Sequence, residues 1–311
     1  MQEQRRYYPT QQKVDEWCPR ILRAAEALEL KARLLEDAPY PFRLGVRHTG
    51  GRYVEFTVKG GERFYGFWQP CPSDRGPVLF HLPGYGAEMS AHPELVTEGY
   101  NVLHVNPLGY ATPEGPDESK RPDGGWPVLP DTARSLGKEG YVHWLTQAAA
   151  AMLWGLGRGA VEPDRFATFG SSQGGGTALL LASIFRDRGV RAVAADVPFL
   201  INFPMIHGMR DWGAYGMVQG ILKRIIEERP EDLPAAWKAL GHVDVTSHAH
   251  RLTMPVLLTA GAEDAACPPP TIRSLFDLLP GTRSYTELAG QGHAYTTPFL
   301  HLARAWFRVH V

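Results

Sequence analysis

The sequence predicts an α/β chain: a mostly parallel, doubly wound sheet with an antiparallel meander at its amino-terminal side and a helical insertion late in the chain. Three observations predict it. Short apolar runs at 78–82, 101–106, 166–169, 191–197 and 255–260 alternate with helical stretches, and such alternation implies parallel strands joined by right-handed crossovers. Before them, 43–48, 52–59 and 62–69 are separated by Gly50-Gly51 and Gly60-Gly61, with Val54, Phe56 and Val58 alternating against Glu55, Thr57 and Lys59, the pattern of an antiparallel meander. Between 198 and 253 the strand pattern lapses into helical material.

Composition narrows the class. The chain has 311 residues, 44% of them hydrophobic, enough for a large core, and 32 Lys plus Arg stand against 33 Asp plus Glu. A net charge of −1 gives no global field to draw nucleic acid or an anionic membrane, so neither is an expected partner. Cys18, Cys71 and Cys267 are far apart, odd in number and without Cys-x-x-Cys spacing, which favours a reducing compartment over a disulfide framework. No apolar stretch follows Arg5-Arg6, and runs such as 148–157 are too short to span a bilayer; the expectation is a soluble cytoplasmic protein.

Taken in order, residues 14–38 predict an amphipathic packing helix, with Ile21, Ala25, Leu28, Ala32 and Leu35 on one face and Pro39 and Pro41 ending it. This makes 1–41 a helical extension. The meander follows and is expected at one edge of the sheet. The buried strand 78–82 runs into Pro83-Gly84-Tyr85-Gly86, a loop able to present a backbone N–H at the carboxyl edge of the sheet. His81, inside that strand, reads as a core histidine. Strand 101–106 leads to Leu108-Gly109-Tyr110 and a proline- and glycine-crowded loop through Pro130, expected over the active edge. Helix 139–156, the strand and helix around 166–183, and strand 191–197 come next. The insertion 198–253, with helices at 212–228 and 231–240, is expected to cap a site. Strand 255–260, helix 271–279, strand 283–288 and helix 298–309 close a chain read as one domain over 1–311.

The chemistry centres on Gly170-Ser171-Ser172-Gln173-Gly174-Gly175-Gly176. Gly170, Ser172 and Gly174 have the spacing of a nucleophile elbow, in which a serine sits on a strained turn between strand and helix. The Gln173 N–H, opening the helix, would point at the same spot and serve as an oxyanion donor. A plain glycine-rich turn is the alternative. A serine needs a base to activate it, and Asp264 and His293 each follow a parallel strand, on the loops where open α/β sheets build sites. Glu263 and Asp196 are the competing acids.

These strings, together with Asp196-Val197-Pro198-Phe199-Leu200, Asp264-Ala265-Ala266-Cys267-Pro268-Pro269 and Gly292-His293, resemble the acetyl xylan esterase and cephalosporin C deacetylase family of α/β-hydrolases over about residues 62 to 311. The resemblance implies an α/β-hydrolase fold, a triad of Ser172, His293 and Asp264, and oxyanion donors at Tyr85 and Gln173, and it allows a homo-oligomer; the mechanism read from these residues needs no metal or other cofactor. Two strings depart from the family pattern: Pro83-Gly84-Tyr85 replaces His-Gly-Tyr, and Leu108-Gly109-Tyr110 replaces Arg-Gly-Gln. Leu108, Tyr110 and Phe199 are the expected substrate contacts, and the first two exchange a charged donor and an amide for apolar surface with one hydroxyl. The expected function is a serine esterase cleaving short, acetyl-type small-molecule esters. The alternatives are a peptidase or amidase of the same fold, or a hydrolase fold used only for binding.

Overall fold

The computed structural model describes residues 2–36, 50–86, 89–117, 119 and 141–311. Eleven strands lie among them: β1 Lys31–Leu35, β2 Arg52–Thr57, β3 Arg63–Gln69, β4 Gly76–Leu82, β5 Asn101–Asn106, the short pair β6 Ala111–Thr112 and β7 Gly115–Pro116, β8 Val161–Ser171, β9 Ala192–Asp196, β10 Val256–Gly261 and β11 Arg283–Leu288. All but β6 and β7 join one sheet in the order β1-β2-β3-β5-β4-β8-β9-β10-β11. The first three strands and the β3–β5 pair are antiparallel, and the rest are parallel. The meander thus occupies one edge, where its exposed alternate residues can meet water.

The central strands are apolar on both faces because helices cover both. Val78, Phe80 and Leu82 of β4 and Phe166 of β8 face the larger core. Leu79, Ala167 and Phe169 face a second core closed by the last helix, Thr297–His310, through Phe299, Ala303 and Phe307. On the larger side, helix Gln11–Glu26 lays Val14, Trp17, Cys18, Ile21 and Ala25 in one stripe against helix Tyr141–Leu156.

That amino-terminal helix is shorter than its apolar repeat suggests. It stops at Glu26; Glu29 takes a left-handed φ of 48°, and the freed Leu28 carbonyl accepts the Lys59 N–H at 2.9 Å. Lys31–Leu35 then pairs with β2, Ala32 opposite Phe56 and Leu34 opposite Val54. Ala32 and Leu35 therefore belong to a strand and not to the helical face, and the extension is helix followed by edge strand. The competing force is non-local: an exposed sheet edge at β2 offers a full ladder of hydrogen bonds to a segment with no capping residue of its own. Pro39, Pro41 and the expected strand 43–48 lie outside the described residues, as do 118 and 120–130 of the loop after β5 and residues 139–140 of the following helix.

The stretch 198–253 is helical, with Phe203–His207, Gly216–Glu228 and Leu233–Val243 as its α-helices. Its entry is pinned by Asp244, whose carboxylate accepts the N–H groups of Asn202 and Phe203 at 2.9 Å each and the Tyr8 hydroxyl at 2.8 Å. Gly213, at φ +48°, passes so close to the loop after β10 that a Cβ there would lie 2.1 Å from the Ala265 oxygen. Ala214 N–H donates to Ala266 O across the same contact, at 3.1 Å. The insertion is latched onto the Asp264 loop.

Candidate active site

Strand β8 ends at Ser171, helix Gln173–Ile184 begins two residues later, and Ser172 between them has φ 56° and ψ −121°. A side chain rarely tolerates this conformation, so the turn is held from outside. Ser172 N–H donates to Asp196 O (2.9 Å), and Ser172 O accepts from Gly176 N (3.1 Å) and Phe199 N (2.9 Å). The glycines answer to space. A Cβ at Gly170 would sit 2.6 Å from the Leu82 oxygen, and at Gly174 2.1 Å from it. At Gly176 it would lie 2.1 Å from the Phe199 oxygen. The missing side chains let strand end, oxyanion loop and the Phe199 loop converge on one serine.

Two more loops meet above it. Gly261, at the end of β10, has no room for a side chain, since a Cβ would lie 2.5 Å from Gly292 O. The loops zip together there: Ala262 N–H donates to Leu288 O (3.0 Å) and Glu263 N–H to Gln291 O (2.8 Å). Asp264 is 3% exposed, and its Oδ1 accepts the Ala266 and Cys267 N–H groups, both at 2.8 Å. With Oδ2 also an acceptor, the His293 ring donates from Nδ1 to Asp264 (2.8 Å) and accepts at Nε2 from Ser172 Oγ (2.8 Å). The geometry joins the three predicted side chains in one hydrogen-bonded chain. Glu263 is exposed and stands outside it. Asp196 lies beneath, bonded to Ser171 Oγ and Thr259 Oγ1.

The Pro83-Gly84-Tyr85 loop runs beside the elbow, with the ideal Cβ of Gly84 3.4 Å from Ser171 O. Gln173 is the first residue of its helix, where N–H groups have no intrahelical partner. A cavity of ≈ 610 Å³ opens here. Beside Ser172, Gln173, Tyr85 and His293 it is lined by Phe199, by Ala214 and Met217 of the insertion, by Ala266, and by Tyr295. Sequence reasoning did not reach Ala214, Met217 or Tyr295, because no motif marks them and only the latched insertion brings the first two over the serine. His81 is buried yet forms part of the cavity wall. Its Nδ1 lies 2.7 Å from His104 Nδ1 and 3.0 Å from His92 Nε2, and burial, followed by these two neighbours, holds it well below the usual histidine range. It is therefore neutral, as a core histidine should be.

Leu108 and Tyr110 do not line the cavity. Tyr110 is 4% exposed and packs in the main core, and Leu108 packs half-buried against the same core. The reason is the turn between them. Gly109, at φ +79°, would bring a Cβ to 2.6 Å from Arg63 O, so the chain leaving β5 folds down onto the start of its antiparallel neighbour β3. Leu108 N–H is tied to Gln147 Oε1 at 2.7 Å. Of the three expected substrate contacts, Phe199 alone faces the cavity.

A family model described as acetyl xylan esterase (AXE1) matches residues 7–310. The chain belongs to the acetyl xylan esterase family. Membership supports hydrolysis of acetyl-type esters and does not favour the peptidase, amidase or idle-binder alternatives. Among solved structures, acetyl xylan esterase 1 from Thermoanaerobacterium sp. JW/SL YS485 superimposes with a TM-score of 0.75 at 22% identity, over 99% of this chain and 97% of that one. An acetyl xylan esterase from Paenibacillus sp. R4 superimposes at 0.76 with 20% identity, over 100% and 99%. At these identities the likeness speaks for the α/β-hydrolase fold. The curated relative YfhR of Escherichia coli O157:H7, described as uncharacterized, is 28% identical over 156 residues, 47% of this chain and 46% of that protein; the match spans about half the length of each. Among the described residues no helix is long and apolar enough to cross a membrane.

Proposed function

We propose that the chain is a serine esterase that hydrolyses short-acyl, acetyl-type esters of small molecules through an acyl-serine intermediate. The observation that carries this is the chain of two 2.8 Å hydrogen bonds from Ser172 Oγ through the His293 ring to Asp264, open to the cavity at the serine end. Ser172 attacks the ester carbonyl while His293 Nε2 takes its proton, and Asp264 holds the ring in that tautomer and stabilises the imidazolium that forms. The Tyr85 and Gln173 N–H groups are assigned to the developing oxyanion, where preorganised donors lower the barrier most. The imidazolium then protonates the leaving alcohol, and water activated by the same ring releases the acid. Every proton moves between groups of this chain, substrate and water.

The apolar side chains of Phe199, Met217, Ala214 and Ala266 support a leaving alcohol with apolar or aromatic character, accepted at least as well as an acetylated sugar. This surface comes from the insertion and the Asp264 loop, and not from Leu108 and Tyr110. The three cysteines are free and buried, which supports a reducing, cytoplasmic setting. A homo-oligomer remains part of the proposal on family resemblance.

A fluorophosphonate probe followed by peptide mass analysis tests the nucleophile. We expect a single adduct on Ser172, lost in Ser172→Ala, in a protein that releases acetate from aryl acetates. Labelling elsewhere, or turnover that survives in a folded Ser172→Ala, would remove Ser172 from the mechanism.

A further inference from the structure

Asp196 ends β9 and stands outside the Ser172–His293–Asp264 chain, yet it touches each part of the fold that carries one of them. Its backbone oxygen accepts the Ser172 N–H at 2.9 Å, on the strained turn itself. Its carboxyl Oδ2 accepts from Ser171 Oγ at 3.2 Å, and Oδ1 from Thr259 Oγ1 at 2.5 Å. The Thr296 backbone, on the His293 loop, favours its ionised form. The arrangement follows from strand order. β9 lies between β8, which leads into the nucleophile turn, and β10, which leads into the Asp264 loop, so the end of β9 is the place from which both can be reached. The carboxyl is fully buried. An apolar side chain of similar size would spare the desolvation cost of a buried charge, so packing alone does not account for an acid there.

We propose that Asp196 is a positioning residue, locking the nucleophile turn, the Thr259 strand and the His293 loop in register, and presenting a second negative charge to the imidazolium that forms on His293 as Ser172 attacks. The inference rests on the esterase reading. Burial raises the Asp196 acid to about 6, with the Thr259 and Ser171 hydroxyls pulling the other way. The titratable groups that interact with it by charge are His293, which favours its ionised form, and the Tyr295 phenol, which burial and then Asp196 push up, both from the His293 loop; β8 and β10 bring the two hydroxyls. A charge at this place favours the protonated ring, the state reached in the transition state.

The test compares wild type with Asp196→Asn and Thr259→Val in two measurements: kcat and KM on an aryl acetate across pH, and the NMR titration of the His293 ring, assigned by its loss in His293→Gln. Asp196→Asn should lower kcat at least about 10-fold with KM little changed, and displace the His293 ring titration to lower pH. Thr259→Val removes a donor that favours the ionised carboxyl, so the acid limb of the kcat profile should move to higher pH. A merely structural role would reduce activity without moving either midpoint. A folded Asp196→Asn with unchanged kcat and unchanged His293 titration overturns the proposal. If Asp196→Asn does not fold, an unmoved profile in Thr259→Val overturns it instead. Failure of the esterase reading is separable, because wild type would then leave aryl acetates intact while the ring titration still reports on Asp196.

Discussion

Gly174→Ala perturbs the candidate site without touching any of the proposed reacting groups. The new methyl would start 2.1 Å from Leu82 O and 2.7 Å from Pro83 O, where ordinary contact begins at 3.4 Å. It is short by about 1.3 Å of space, and both obstacles are backbone, which cannot rotate away. Relief requires the end of β4 and the Pro83-Gly84-Tyr85 loop to move by about 1 Å relative to Ser172, which would carry the proposed Tyr85 donor out of reach of the oxyanion. Loss of one such donor costs about 10²- to 10³-fold in kcat, and a misplacement of about 1 Å is enough to cause it. Overpacking should also destabilise the fold by about 1–3 kcal/mol. Steady-state kinetics on an aryl acetate should therefore show kcat down by about two orders of magnitude, with slower fluorophosphonate labelling and a lower Tm. Gly220→Ala, a helical site with nothing within 4 Å, is the control; it should keep full activity and gain up to about 1 kcal/mol. A Gly174→Ala enzyme with near-normal kcat and Tm would refute the steric account of the elbow.

Ser172→Ala should lower kcat by about 10⁴-fold or more, and Asp264→Asn by a similar order with the fold retained, because the amide would favour the wrong ring tautomer; circular dichroism and kinetics on the same samples check both. Met217→Trp should fill the cavity over Ser172 and raise KM for bulky aryl acetates far more than for a small acetate ester, and equal effects on both would place Met217 away from the leaving group. Stability should fall on acidification: burial depresses His248 and His104 to about 3, so between about 6.5 and 3 the unfolded chain binds protons that the folded chain refuses, and stability is lost as pH drops through that window. Asp196, raised to about 6, opposes this between about pH 6 and 4, where the folded state holds the extra proton. Urea midpoints across pH should flatten in His248→Gln, and an unchanged slope would contradict the buried neutral ring.

The sequence by itself determined most of the sheet and the expected reacting side chains, for local reasons. Strands such as Asn101–Asn106 and Arg283–Leu288 are short apolar or β-rich runs bounded by breakers, and the Gly170-to-Gly176 string can hardly be anything but a tight strand-to-helix turn. The order of Ser172, Asp264 and His293, after the parallel strands β8, β10 and β11, then placed three loops on one edge of the sheet. What required the tertiary structure was every choice between locally equivalent options. Asp264 and Glu263 are adjacent on the same loop, and the zipper between the β10 and β11 loops turns the first inward and leaves the second in water. Lys31–Leu35 has a helical apolar spacing and became a strand because β2 had an open edge. Leu108 and Tyr110 follow a central strand, as a site residue might, but the left-handed Gly109 folds them onto β3. Met217 carries no motif and reaches the cavity through a glycine latch at Gly213; Asp196 stands in a family-like string and is one of the candidate acids by sequence, but its neighbours are set by having β8 and β10 on either side. Periodicity and turn chemistry act over a few residues and survive in the linear string. Partner choice at an edge, the aim of a loop and the neighbours of a buried carboxyl depend on segments tens of residues apart, and exist only once the chain has closed.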